Sequence, residues 1–490
     1  MDIPDSWEFP PWWYAASLIE KPSASVEEKT QRKNLEALWI SEVDGEVVYF
    51  GRKFTSIVQE HWAPLKIFAP QIAKKRIGEM QQLFQDALEW FSYKWKYVYT
   101  YCTKSNHFAF IVREILKDGQ DWVTNRSVHL ETSSAFDAKI IDNTSLHPDS
   151  FVIHNGFKSP AYLEAIGEIS GRFKNAICVL DGIDELEKLQ WYVDPWYSVW
   201  IRLSTEDGAY NSRFGIPLSK VEDFVRANRI NGTFSSSGLQ LKMIHFFIET
   251  GIKDSAEYYI LLKKYVEMYC RLFMICPSLQ YLNIGWWMPV NYDLSEEISY
   301  RNIVETIVGI IQEVCDENGV PHPDIFTEFW SYTVADTWVT VMEVIWEKNQ
   351  NGDEKWYIVD GSPMSMIPDS WALDQYYPTI ALNHWDASHQ DVSVWWITCD
   401  KDDTLLGKNG KKLSLPTLQD TPLLLGVLKT WAYQENIGGF WIGSLTHCQN
   451  SRYKVLVILE NGDTKIFFDA QDEDARLETL GYLKRKRETV

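Results

Sequence analysis

Ser255-Ala-Glu-Tyr-Tyr-Ile-Leu-Leu-Lys-Lys-Tyr-Val-Glu-Met-Tyr-Cys-Arg-Leu-Phe-Met-Ile-Cys276 decides the fold class that the sequence suggests. Tyr258, Leu261, Leu262, Tyr265, Val266, Tyr269, Leu272 and Phe273 recur at the three-and-four spacing of one helix face, and Pro277 ends the run. Downstream, Ile303, Ile307, Ile310, Ile311 and Val314 line one face of a helix over 299–317, which Asn318-Gly319 closes. Upstream, Ser219-Lys-Val-Glu222 has the form of a capping box, followed by Val221, Phe224 and Val225 and stopped at Gly232. A further helix starts near Pro70 and runs past Trp90, burying Ile72, Ile77, Met80, Leu83, Ala87 and Phe91.

The two ends of the chain read as hairpins. Asp44-Gly45, Asn351-Gly352 and Asn461-Gly462 each separate two short apolar runs, and such pairs adopt the positive φ that tight turns require. Asp207-Gly208 suggests a fourth hairpin, from Val199-Trp-Ile-Arg202 to Asn211-Ser-Arg-Phe214. The expected architecture is multidomain α+β, a helical middle region flanked by hairpin-rich antiparallel sheets at both ends. Residues 1–155 form an α+β domain with the N-terminal hairpin, 156–320 a mainly helical domain, and 321–490 a second hairpin-rich α+β domain. Ile3-Pro-Asp-Ser-Trp7 recurs as Ile367-Pro-Asp-Ser-Trp371, which fits either a diverged duplication of part of the N-terminal region or a reused Asx-type turn.

Twenty-three tryptophans accompany a formal net charge of −21. The acidic balance disfavours a nucleic-acid ligand, whose phosphates need clustered cations. Seven cysteines without a C-x-x-C pair read as free thiols, no run is long enough to span a membrane, and the first residues lack a secretory pattern. These features predict a cytoplasmic protein.

Candidate sites are of three kinds. Trp95, Tyr97, Tyr99 and Tyr101 alternate as on one strand face, and Trp196 and Trp200 belong to a second aromatic tract. Such rows either pack into a core or stack on a partner, so Trp95, Tyr97, Tyr99, Trp196 and Trp200 are the candidate partner-binding residues. His384, Asp386, His389 and Asp391 could ligate a first-row metal if a loop brought them together. Finally, Ala176-Ile-Cys-Val-Leu-Asp181-Gly-Ile-Asp184-Glu185-Leu resembles the Walker B segment of NACHT and related signalling NTPases. That resemblance implies magnesium on Asp181, with Asp184 and Glu185 supporting hydrolysis. No G-x-x-x-x-G-K-[ST] precedes it, so the residues themselves read as a strand followed by an Asp-capped helix.

No complete catalytic motif and no cofactor is implied. The expected function is therefore a cytosolic interaction or regulatory protein of the inhibitor, immunity or conflict-system type, with a more basic protein as partner and no membrane. The alternative is a hydrolase with paired carboxylates in an aromatic cleft, acting on a saccharide.

Overall fold

The computed structural model describes residues 24–117, 127–204, 214–230, 233–234, 238–246, 255–285, 287–350, 354–405, 407, 410–430, 432–434, 453–470, 474, 477–478 and 481–482. Its centre is a closed barrel of parallel strands: Tyr97–Cys102, Val128–Thr132, Phe151–His154, Asn175–Leu180, Ser198–Ser204, Gln240–Phe246, Tyr281–Asn283 and Asp324–Thr327. Each pairs in parallel with its successor, and the eighth closes on the first through Ile325 beside Tyr97. A helix follows every strand: Ala109–Leu116, Ala135–Asp142, Pro160–Ser170, Glu185–Leu189, Leu218–Asn228, Ser255–Ile275, Tyr300–Glu317 and Trp330–Val334. This is the (β/α)8 arrangement.

The expected helical middle is thereby corrected. Helices do stand at Pro70–Trp90, Ser255–Ile275 and Tyr300–Glu317, but the helices form an outer ring around strands that are buried on both faces. Such strands are short apolar runs without polar alternation, and sequence periodicity cannot separate them from helix segments. The boundaries expected at 155/156 and 320/321 fall within the barrel. Val199-Trp-Ile-Arg202 belongs to the fifth strand and pairs in parallel on both sides, so it is no hairpin arm; the Asp207-Gly208 turn lies outside the described residues.

Period-two alternation divides the barrel strands between two cores. Val98, Ile153, Ile177, Val179, Trp200, Met243 and Phe326 fill the interior. Tyr97, Tyr99 and Tyr101 face outward into the helical ring, where Phe84 stacks on Tyr97 with centroids 3.9 Å apart.

A second, largely antiparallel sheet uses both ends of the chain. Trp338–Gln350 pairs with Glu354–Val359 and with Leu424–Leu428, and also with Leu65–Phe68 from before the barrel. Leu65–Phe68 in turn pairs in parallel with Lys454–Ile458, which forms a hairpin with Thr464–Phe468. Within it the Lys66 ammonium lies 4.5 Å from the ring centroids of both Trp338 and Tyr453. The other expected hairpins are present: Ile40–Val43 with Glu46–Tyr49, and the strands on either side of Asn351-Gly352. Ser219 does not cap its helix, whose first turn follows Pro217 without a side-chain cap. Ile367-Pro-Asp-Ser-Trp371 spans the short helix Pro368–Ala372, while its N-terminal copy lies outside the described residues.

Barrel and sheet meet at a buried ion cluster. Asp336, just after the last barrel helix, accepts from Arg76 Nε at 2.9 Å and from Lys429 Nζ at 2.7 Å. Burial opposes the Asp336 carboxylate, but Lys429 and Arg76 hold its pKa down at about 2. Among the described residues no helix is long and apolar enough to cross a membrane.

Candidate active site at the mouth of the barrel

Continuing each strand by two positions beyond its interior residue reaches a polar side chain on the same face. His129 leads to Glu131, Ile153 to Asn155, Val179 to Asp181, Trp200 to Arg202, Met243 to His245, Tyr281 to Asn283 and Phe326 to Glu328. Register aligns the layer, since Arg202 pairs with His245 and His245 with Asn283. The C-terminal mouth is where barrels of this kind carry their chemistry, because residues from many strands converge there. Glu131, Asn155, Arg202, His245, Asn283 and Glu328 are all buried.

The first strand adds an amine. After Cys102 the chain enters a turn at Thr103–Ser105, and Lys104 Nζ donates to Glu131 Oε1 at 2.8 Å and to Ser133 Oγ at 2.9 Å. Burial works against the Lys104 ammonium, but the Glu131 carboxylate more than offsets it, so its pKa stands well above that of an ordinary lysine. Opposite, the Glu328 carboxylate accepts from Asn283 Nδ2 at 2.7 Å and from Asn155 Nδ2 at 3.1 and 3.2 Å. Burial, reinforced by Glu131, raises the Glu328 pKa despite those amides and Lys104. His245 is held neutral by burial and by the charges of Arg202 and Lys104. Tyr433, from the C-terminal sheet region, joins this edge: its backbone N–H donates to Ser105 O at 3.0 Å and its ring packs on Trp330.

Several atoms of the layer lack a protein partner: Asn155 Oδ1, Asp181 Oδ2 and both His245 ring nitrogens. Buried polar groups are ordinarily satisfied, so this concentration marks a place built for something polar. The layer offers a primary amine for a carbonyl, buried carboxylates, and a neutral imidazole.

The residues singled out from sequence lie elsewhere. Tyr97 and Tyr99 are buried on the outer barrel face, with their hydroxyls bonded to Thr327 and Thr333. Trp200 is barrel core. Trp95 and Trp196 are exposed, and the set shares no common surface that includes the buried three. His384 and Asp386 sit in a loop and His389 and Asp391 on the strand His389–Trp396. Among the described residues no group of three or more His, Cys, Asp or Glu side chains is placed to hold a metal ion. A cavity of about 830 Å³ includes His384 and Asp386 in its lining, together with Asp44, Glu46, Glu343 and Asp360. Asp181 faces Arg202 at 3.3 Å while its N–H donates to Glu185 Oε2, and Asp184 pairs with Lys188. The Walker-like carboxylates are thus used in local ion pairs and a helix start.

Sequence reasoning missed Lys104, Glu131, His245, Asn283 and Glu328. The available signal was an apolar run ending each time in one polar residue, as in Ile325-Phe-Thr-Glu328. It acquires meaning only once the runs are recognised as strands of one barrel.

Comparison with known proteins gives the same fold. The biosynthetic arginine decarboxylase of Campylobacter jejuni superposes with a TM-score of 0.76 at 20% identity, covering 93% of this chain and 90% of that one. Diaminopimelate decarboxylase from M. jannaschii, solved in co-complex with L-lysine, gives 0.74 at 14% identity and covers 90% and 97%. In sequence, the biosynthetic arginine decarboxylase of Prochlorococcus marinus (strain MIT 9215) is 21% identical over 572 aligned positions, which cover 87% of this chain and 86% of its own. The family described as pyridoxal-dependent decarboxylase, pyridoxal binding domain, matches residues 75–335, the segment that contains the whole barrel.

These matches overturn the expectation of a non-catalytic interaction or regulatory protein, and that of a saccharide hydrolase. The physical reason is that the site is distributed over strand ends up to 230 residues apart (Tyr97 beside Ile325 is one such seam), so no local motif reveals it. The chain belongs to the pyridoxal-dependent decarboxylase family.

Proposed function

We propose that the barrel mouth is a pyridoxal-dependent decarboxylation site for an α-amino acid with a cationic side chain, and that Lys104 is the residue that holds the aldehyde. The observation that carries this reading is the position of Lys104, at the C-terminal end of the first barrel strand with its amine against Glu131 and Ser133. The residues suit the aldehyde and the ring. A lysine amine is the group that pyridoxal enzymes use for attachment, and a buried acid is the usual partner of the pyridinium nitrogen. Glu328, kept in place by Asn283 and Asn155, supplies such an acid. When bound, the group acts as a sink for the electron pair left by the departing carboxylate.

The chain's own contributions follow from its geometry. Glu131 holds the Lys104 proton until the amine is needed. Neutral His245 can accept or donate a hydrogen bond without adding charge. Asp181 Oδ2, buried and without a protein partner, offers an acceptor to a cationic substrate side chain. The names of the relatives, arginine and diaminopimelate decarboxylases, support an amino acid carrying a second nitrogen. A cytoplasmic location accords with this reading and with the unbridged cysteines at 102, 178, 270, 276, 315 and 399.

Release of carbon dioxide from carboxyl-labelled L-arginine, L-lysine, L-ornithine and meso-diaminopimelate tests the proposal. The full chain is supplied with pyridoxal or its 5′-phosphate. At least one substrate should be turned over, and Lys104→Ala should abolish the signal. No release from any of the four would overturn the reading.

A further inference from the structure

The site suits the aldehyde and ring, but its other end departs from what a phosphorylated ligand needs. Barrels of this architecture commonly bind phosphate on backbone N–H groups of the loops after the seventh and eighth strands. In this chain those loops are Asn283-Ile-Gly285-Trp286-Trp287-Met-Pro289 and Glu328-Phe329-Trp330. Four of their N–H groups, those of Ile284, Gly285, Glu328 and Trp330, are already taken. Ile284 N–H donates to Phe326 O at 3.0 Å, and Gly285 N–H to Asn283 Oδ1 at 2.8 Å. Glu328 N–H donates to Gly285 O at 2.8 Å, and Trp330 N–H to Glu328 O at 2.6 Å. Gly285 is the single glycine of the two loops, and Pro289 has no N–H to offer.

The side chains reinforce the point. Trp287 is buried and stacks on Tyr258 with centroids 4.2 Å apart, Phe329 is fully buried, and Trp330 packs on Tyr433. The nearby buried cations are engaged as well. Lys158 Nζ donates to Val179 O at 2.6 Å and to Gly156 O, and Arg202 pairs with Asp181 and lies over Phe214. Lys104 faces Glu131. Glu131 and Asp181 offset the charges of Lys104 and Arg202, which leaves little positive charge to attract a phosphate dianion.

We infer that this site takes the phosphate-free aldehyde, pyridoxal, about as readily as its 5′-phosphate, with aromatic walls where a phosphate cradle would stand. The inference rests on Lys104 as the attachment residue and goes beyond it by naming the form of the ligand.

The test uses the full chain freed of bound aldehyde. It is titrated separately with pyridoxal and with pyridoxal 5′-phosphate, and the adduct is fixed with borohydride and located by mass spectrometry. Both should label Lys104, with dissociation constants within about tenfold of each other, since a single charge-assisted hydrogen bond to phosphate is already worth about tenfold. Added inorganic phosphate should leave the pyridoxal titration unchanged. A 5′-phosphate bound more than about tenfold tighter, or competition by inorganic phosphate, would overturn the inference while leaving Lys104 as the attachment point. Failure of either aldehyde to label Lys104 would overturn the proposed function, and this inference with it.

Discussion

Lys104 Nζ lies 2.8 Å from Glu131 Oε1 across the seam between the first two barrel strands, where Cys102 is in register with Glu131. The pair keeps the amine protonated, and a protonated amine does not attack a carbonyl. Glu131→Gln removes the interaction that raises the Lys104 pKa and leaves burial to lower it. The pH profile for aldehyde attachment should therefore move to lower pH, by about one unit or more. Borohydride trapping across pH 5 to 10 measures this, and an unmoved profile would show that Glu131 does not control the amine.

On the far side of the mouth, Asn283 uses its amide N–H on Glu328 and its carbonyl on Gly285 N–H. Asn283→Ala leaves a buried carboxylate short of a donor and should cost about 1–3 kcal/mol at pH 8. The Glu328 pKa is raised, so the carboxyl takes up its proton as pH falls and the lost donor matters less. The deficit in Tm against the unmodified chain should thus shrink between pH 8 and pH 5. A deficit independent of pH would mean that the loop turn at Gly285, and not Glu328, is what Asn283 supports.

Asp336 binds barrel to sheet through Arg76 and Lys429. Asp336→Ala takes its counter-charge from buried Lys429 and leaves Arg76 with Glu79 alone, which should cost about 3–5 kcal/mol in chemical denaturation. The Asp336 pKa is depressed to about 2. Its contribution is complete above the ordinary carboxylate range and fades as pH falls through that range toward 2. Acid titration of the Asp336→Ala protein should accordingly be flatter than that of the unmodified chain. Equal acid sensitivity would remove this role.

Asp360 behaves in the opposite sense. Burial raises its pKa to about 7, although its carboxylate accepts the Glu343 N–H at 2.9 Å. The folded chain binds a proton that the unfolded chain has lost, so this group destabilises progressively as pH rises from about 4 to 7. Asp360→Asn, which keeps the acceptor and removes the charge, should raise Tm at pH 8 by an amount equivalent to at most about 4 kcal/mol. The gain should vanish near pH 4. A gain that persists at pH 4 would point to packing in place of charge.

Local elements were legible from sequence where one face meets solvent. The helices Pro70–Trp90, Ser255–Ile275 and Tyr300–Glu317, and the hairpins at Asp44-Gly45, Asn351-Gly352 and Asn461-Gly462, all carry period or turn signals that survive in the structure. The barrel was hidden because Asn175–Leu180 or Tyr97–Cys102 is buried along nearly its whole length, so no polar alternation announces a sheet. In the row Trp95-Lys-Tyr97-Val-Tyr99-Thr-Tyr101 the strand begins only at Tyr97, and its tyrosines face the helical ring. Three residues past that row, Lys104 carried no local mark. Its partners Glu131 and Ser133 come from the next strand and the turn after it.

The position of Leu65–Phe68 constrains how the chain matures on the ribosome. This strand emerges before the barrel, yet its neighbours Trp338–Gln350 and Lys454–Ile458 emerge after it. With about 390 residues between Leu65–Phe68 and its last partner, elongation at about 5–20 residues per second leaves it waiting for tens of seconds. The barrel can close in that interval, but the sheet cannot. An apolar strand left open for so long invites pairing with another nascent chain, and a lysine in such a strand discourages it. Lys66, which ends between Trp338 and Tyr453 in the finished protein, puts a charge in that strand for as long as it waits.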